Sequence, residues 1–70
     1  MKIIVVHDYY TGEPAIIKAD AISAVRKLRD MSTDPPEEYT SVIADHFEMI
    51  AKETIGEVMN KIKKAEGEEP

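Results

Sequence analysis

The chain has 70 residues, a formal net charge of -5 and no cysteine. A chain of this length forms one domain, here residues 1–70, and buries only about 60% of the surface that its unfolded form exposes. Without cysteine, disulfides and thiolate metal sites are excluded, which leaves self-association or an isolated fold of regular elements as routes to stability. The acidic balance argues against a nucleic-acid partner, because such proteins usually carry a basic stripe.

The apolar segments are all far shorter than the roughly 20 residues that cross a bilayer. The first of them, residues 3–6, ends at His7-Asp8 and is too short for a secretory signal. A buried first strand explains it better. We therefore expect a cytoplasmic protein without a membrane span.

Residues 2–10 predict a first strand, because four consecutive β-branched residues are followed by two tyrosines. Apolar residues on both of its faces predict an inner strand that is covered on both sides. Thr11-Gly12 predicts a turn in which Gly12 adopts a positive φ. Pro14 then begins a second strand, which ends at Lys18 and completes a hairpin.

Residues 20–31 fit two structures. Asp20 is a suitable N-cap, and Ile22, Val25 and Leu28 recur at helical spacing, so the local pattern favours a helix. The alternative is a short turn at 20–22 followed by a strand over 23–30.

Residues 31–38 predict an exposed Pro-rich loop inside the domain, because Pro35 and Pro36 remove two backbone donors. Residues 39–44 predict the next strand from their β-formers. Asp45-His46 predicts a turn, since both residue types tolerate a positive φ. Residues 47–52 then return as the second strand of another hairpin.

The last element is predicted to be a helix. Thr54 and Glu57 have the spacing of a capping box. Lysines near its end complement the helix dipole, and Gly67 predicts its end, followed by an acidic tail over 67–70. One apolar stripe runs along it, formed by Ile55, Val58, Met59 and Ile62.

Residues 52–62, Lys-Glu-Thr-Ile-Gly-Glu-Val-Met-Asn-Lys-Ile, resemble the C-terminal signature of the small flagellar FlbD/SwrD-like proteins. Thr11-Gly12 resembles the first hairpin turn of that family, residues 19–25 resemble its next segment, and residues 39–43 resemble its central strand. The chain departs from the family at Asp45-His46, where asparagine-glycine is usual, and in its longer Pro-rich loop. The resemblance implies a strand over 23–30 and a motor-accessory role.

These elements together predict an α+β fold. It consists of a small twisted antiparallel β-sheet of four to five strands in meander order, packed by one C-terminal α-helix.

Catalytic and metal-binding patterns are weak. His7-Asp8 and Asp45-His46 contain both histidines, but adjacent strand residues point to opposite faces, so a metal site would need His7 and His46 to meet. The sequence shows no glycine-rich phosphate loop and no nucleophile elbow. We therefore expect no enzyme activity, no cofactor and no metal.

We expect instead a non-enzymatic module that binds a protein partner or a second copy of itself, with a dimer favoured. The alternatives are a nucleic-acid-associated regulator, which would use Arg26, Lys27 and Arg29, and a phage-encoded accessory protein. The candidate interaction surface consists of Ile4, Val6, Tyr10, Arg26 and Arg29.

Overall fold

The computed structural model describes residues 2–67, and in this range the chain forms five strands, one 3₁₀ turn and one α-helix. Every strand pairs antiparallel, within a two-stranded sheet and a three-stranded sheet. The predicted α+β class with a C-terminal helix is therefore confirmed. In chain order the elements are β1 (Ile3–His7), β2 (Pro14–Lys18), the 3₁₀ turn (Ala19–Ala21), β3 (Ile22–Asp30), β4 (Glu37–Ala44), β5 (Glu48–Ala51) and α1 (Ile55–Gly67).

The first hairpin joins β1 and β2, with Val5 directly opposite Ile16. Strand β1 ends at His7, earlier than predicted, because the Asp8 carboxylate accepts the backbone N–H groups of Tyr10 at 2.8 Å and Thr11 at 3.1 Å. This pattern turns the chain directly after the strand. Gly12 completes the turn with a φ of 78°, which confirms its predicted conformation.

The two sheets meet at the end of β1. The Tyr9 N–H donates to the Ile50 carbonyl at 2.9 Å, and the Lys52 N–H donates to the His7 carbonyl at 2.8 Å. Strand β1 therefore lies beside β2 along its length and beside β5 at its end, so that the hairpin continues the larger sheet.

Residues 22–30 form strand β3, and the helix that the local pattern favours is wrong. Strand β3 pairs with β4 throughout, but its register shifts between Ile22 and Ala24. Such a bulge adds one residue and changes which side chains share a face. As a result, both Ile22 and Val25 pack against the core although they are three residues apart.

The loop between β3 and β4 is shorter than predicted, because β4 already begins at Glu37. The Thr33 hydroxyl accepts the Glu37 N–H at 2.9 Å. Asp30 at the end of β3 accepts the N–H of Ser32 at 2.9 Å and its hydroxyl at 2.6 Å, and these bonds lower the pKa of Asp30. Side-chain caps at both ends hold the Pro-rich segment.

The second hairpin turns at the predicted place. Strand β4 ends at Ala44 and β5 begins at Glu48, and the Ala44 N–H donates to the Phe47 carbonyl at 2.8 Å. However, no residue in 2–67 other than glycine has a positive φ. The conformational reason given for Asp45 and His46 is therefore wrong, although the turn is present.

Helix α1 begins with the predicted capping box. The Thr54 N–H donates to the Glu57 carboxylate at 2.9 Å, and the Glu57 N–H donates to the Thr54 hydroxyl at 3.1 Å. The helix contacts β1, β3 and the 3₁₀ turn, so it lies across both sheets. Gly67 is still part of the helix, and residues 68–70 of the predicted tail lie outside the described residues.

The core is built from small aliphatic side chains that α1 and the strands share. On the helix, Val58 and Ala65 are buried and Ile62 is partly buried, whereas Met59 is 44% exposed. The predicted stripe is therefore wrong at Met59, which lies beside the buried line. The buried apolar residues are Ile4, Val6, Ile17, Ala19, Val42, Ala44, Ala51, Val58 and Ala65.

Within residues 2–67, no helix is both long enough and apolar enough to cross a membrane.

Candidate functional site

The outer face of the first hairpin is apolar and open. Ile3 is 43% exposed, Val5 is 38% exposed and Ile16 is 69% exposed. Val5 and Ile16 are directly opposite each other, and Ile3 lies two residues before Val5 on the same side of the strand. We call Ile3, Val5 and Ile16 the hairpin outer face.

The other face of the same hairpin forms part of the core. Ile4 is 3% exposed and Val6 is fully buried, and they pair with Ile17 and Ala15. Two sequence predictions are therefore wrong. Ile4 and Val6 cannot line an interaction surface, and β1 is covered on one face only.

Tyr10 is exposed, as its place on the candidate surface requires. It lies in the β1–β2 turn with 77% of its surface accessible. Its ring packs edge-on against Tyr9 at a centroid distance of 5.3 Å, and Tyr9 packs edge-on against Tyr39 at 5.1 Å.

The hydrogen bond from the Tyr39 hydroxyl to the Glu37 carboxylate, at 2.9 Å, raises the pKa of Tyr39 to about 12. The phenol therefore stays neutral at physiological pH.

The basic residues of β3 do not form one patch. Arg26 lies opposite Ser41, and Arg29 lies opposite Glu38, so the two arginines occupy opposite faces of the strand. Glu38 accepts Arg29 at 3.0 Å and also has the Lys27 ammonium 3.6 Å away. Arg26 and Arg29 therefore cannot line one surface of the sheet together.

A groove of about 310 Å³ lies where β4, β5 and the start of α1 meet. The charged side chains at its rim are two lysines, Lys27 and Lys52, and two glutamates, Glu38 and Glu53. Glu38 is paired with lysine and arginine of β3, and Glu53 is paired with His7. Because these charges compensate one another, the groove has no net charge with which to select an ionic ligand.

The Glu53 carboxylate holds His7 with both oxygens. It accepts the His7 backbone N–H at 3.0 Å, and His7 Nδ1 lies 2.7 Å from its second oxygen. Burial raises the pKa of Glu53, but the hydrogen bonds from His7 outweigh burial and leave this pKa below its ordinary value. His46 lies in the exposed turn between β4 and β5, and no three potential metal ligands cluster within residues 2–67. The His7–Glu53 pair is therefore a link between the two sheets.

Sequence reasoning missed Ile16 and Glu53. Strand β2 reads Ala-Ile-Ile between Pro14 and Lys18, so an exposed isoleucine was present in the pattern but was not separated from the buried Ile17. Glu53 carries no local signal, because its partner His7 is 46 residues away. Only the pairing of β1 with β5 brings them together.

Comparison of the chain with protein-family models, curated proteins and solved structures finds no match. The resemblance to flagellar proteins therefore rests on the sequence motifs alone.

Proposed function

We propose that this chain is a protein-interaction module that docks through its hairpin outer face. The observation that carries the proposal is the exposure of Ile3, Val5 and Ile16 on adjacent paired strands. Single exposed aliphatic residues are ordinary, but three that are contiguous on a rigid hairpin form a surface that gains free energy when a partner covers it.

The rest of the molecule supports binding rather than chemistry. The pairs that hold potential catalytic groups, His7 with Glu53 and Tyr39 with Glu37, already satisfy each other. The basic side chains of β3 lie on two faces and are partly neutralised by Glu38. Strand β3 therefore lacks the continuous basic surface that a nucleic-acid role would need.

A photo-cross-linking amino acid at position 16 tests this function in cells of the source organism. We expect a protein adduct of discrete mass from position 16, and we expect the double substitution Ile3→Thr and Val5→Thr to abolish it. Threonine keeps the strand propensity while it removes apolar surface. The same amino acid at exposed Lys63 is the matched control. An adduct that persists after the double substitution, or no discrete adduct at position 16, would overturn the proposal.

One specific observation favours a flagellar setting for this interaction. The resemblance to FlbD/SwrD-like proteins implied a strand over 23–30 against the local helical spacing, and β3 is a strand. We therefore propose a motor-accessory role as the cellular context. Deletion of the gene should reduce swimming in soft agar and leave growth unchanged, whereas unimpaired swimming would contradict the role.

A further inference from the structure

Strand β2 is an edge strand with one open side. Within residues 2–67 its only neighbouring strand is β1. The Ala19 N–H donates to the Lys2 carbonyl at 2.9 Å, and the Asp8 N–H donates to the Glu13 carbonyl at 2.9 Å. Residues 13, 15, 17 and 19 therefore direct their backbone groups toward β1, and residues 14, 16 and 18 direct theirs outward, because the direction alternates along a strand.

We propose that a second copy of this chain pairs antiparallel with the open edge of β2, with the two-fold axis at Ile16. This inference rests on the proposed function and names the partner of the hairpin outer face. Around that axis the Ile16 N–H and carbonyl exchange two hydrogen bonds with Ile16 of the second copy. The backbone N–H of Lys18 on each copy donates to the Pro14 carbonyl of the other copy, which makes four hydrogen bonds in all.

Proline fits this register. Pro14 has no N–H, so an edge that needed a donor at residue 14 would be blocked there. In the Ile16-centred pairing, Pro14 serves as an acceptor, and only the Lys18 carbonyl remains open to water at each end.

The side chains favour the same register. Ile16 lies directly opposite Ile16 of the second copy, so a continuous apolar row runs Val5, Ile16, Ile16, Val5 across four strands. Moving the axis to Ile17 also gives four hydrogen bonds, but it places Ile16 opposite Lys18. The Ile16-centred register is therefore the one that covers apolar surface with apolar surface.

Charge placement agrees with this pairing. In this register Lys18 lies opposite Pro14 of the second copy and Glu13 lies opposite Ala19, so no like charges face each other across the paired strands. The other edge strand, β3, carries Arg26, Lys27 and Arg29 close together. Antiparallel pairing of two β3 strands near these residues would oppose like charges, which protects that edge. Self-pairing is therefore directed to β2.

The paired segment is only five residues long on each copy. An interface of this size falls below the roughly 1,200 Å² of a standard complex, so we expect a weak and reversible dimer. Pairing also brings two hairpin outer faces side by side.

A cysteine at position 16 tests the register. Residues that exchange both hydrogen bonds have Cα atoms about 5.5 Å apart, within the range that a disulfide spans. The chain has no cysteine of its own. Under mild oxidation we expect Ile16→Cys to form a covalent dimer at least roughly ten times faster than Lys18→Cys, whose equivalent positions lie about 14 Å apart across the axis.

Two outcomes would overturn the pairing. One is a rate for Ile16→Cys no greater than that for Lys18→Cys. The other is faster cross-linking in a mixture of the two variants than in Ile16→Cys alone, which would place the axis at Ile17.

A second variant separates this inference from the proposed function. Lys18→Pro removes an outward N–H from β2 and leaves the hairpin outer face in place. We expect it to weaken dimerisation in sedimentation equilibrium while the far-UV circular dichroism spectrum stays unchanged; unaltered dimerisation counts against the pairing. Suppose that no dimer forms, but that position 16 still gives in cells the adduct that the double substitution Ile3→Thr and Val5→Thr abolishes. The second-copy pairing is then wrong and the proposed function stands.

Discussion

The carboxylate of Glu53 links residues from both sheets. It accepts the His7 N–H at 3.0 Å and lies 2.7 Å from His7 Nδ1, and only 13% of its side chain is exposed. Water competes weakly with hydrogen bonds in such a place. Because Glu53 stands between β5 and α1, these bonds attach β1 to the segment that begins the helix.

Replacing Glu53 by glutamine should lower the free energy of unfolding by about 1–3 kcal/mol. The reason is that a neutral amide then replaces the charged carboxylate that contacts the His7 backbone N–H and Nδ1. The folded-state pKa of Glu53 lies below its ordinary value of 4.5, so its contribution is present above that value and is lost as the pH falls through the lower folded pKa. Urea unfolding at several pH values between about 5 and about 3 measures this.

The matched control is Glu13→Gln, which changes an exposed side chain. The difference between wild type and Glu53→Gln should shrink toward acid pH. A difference that stays constant over this range would show that the charge of Glu53 does not stabilise the fold.

Two glycines are expected to respond with opposite sign. Gly12 has a φ of 78°, so Gly12→Ala should destabilise the protein by about 1–2 kcal/mol. A Cβ there would meet only the end of the Lys52 side chain at 3.8 Å, so the cost is conformational. Gly56 lies in the first turn of α1, where an added Cβ would meet the Thr54 hydroxyl oxygen at an ordinary contact distance of 3.9 Å, and Gly56→Ala should stabilise by roughly 0.5–1 kcal/mol. Thermal unfolding of both variants tests this, and shifts of the same sign would contradict it.

At the level of elements, β3 shows why local pattern is not sufficient. Ile22 and Val25 both pack against the core because a bulge inserts one residue between them. The bulge gives a strand the three-residue apolar spacing of a helix, so periodicity alone favours the wrong element. Leu28 continues the apparent helical spacing but lies on the other face from Val25. The helix α1, by contrast, was predictable because its capping box is local.

The orientation of β1 was not predictable for a different reason. Residues 3–6 are all apolar and β-branched, so the sequence contains no polar alternation to mark the outer face. The choice is made by packing, since Ile4 and Val6 face Val58 and the rest of the core while Ile3 and Val5 do not. This is why the sequence alone does not show that Ile4 and Val6 are the buried residues of β1 and Ile3 and Val5 the exposed ones.

Neighbouring residues of α1 should differ sharply in their contribution to stability. Val58 is fully buried and Met59 is 44% exposed. Val58→Ala should cost about 2 kcal/mol through lost burial and a residual cavity, and Met59→Ala should cost less than about 0.5 kcal/mol. Chemical denaturation at constant m-value measures both. Equal losses would mean that α1 is rotated about its axis relative to the described packing.

At the level of the whole molecule, two groups of aliphatic side chains matter for stability and association. One is a core of nine small side chains with no aromatic ring, shared by both sheets and α1. The other is the hairpin outer face, which remains in water in the single chain. A chain with so little buried volume gains proportionally more from covering an exposed face than a larger domain does. Stability and association are therefore expected to be coupled in this protein.

Salt should strengthen self-association. Each copy carries a net charge of -5, and two such charges about 20 Å apart repel by about 5 kcal/mol in water without salt. The Debye length falls from about 30 Å at 0.01 M to about 8 Å at 0.15 M ionic strength, which lowers the repulsion at this distance from about 2.7 to about 0.4 kcal/mol. We therefore expect the dimer Kd to fall roughly forty-fold over this range. Sedimentation equilibrium at the two salt concentrations measures the change.

Nucleic-acid binding has the opposite dependence on salt, because added salt competes with phosphate contacts. A dimer that weakens as salt is added would instead require opposite charges at its centre, which a pairing centred on two isoleucines does not contain.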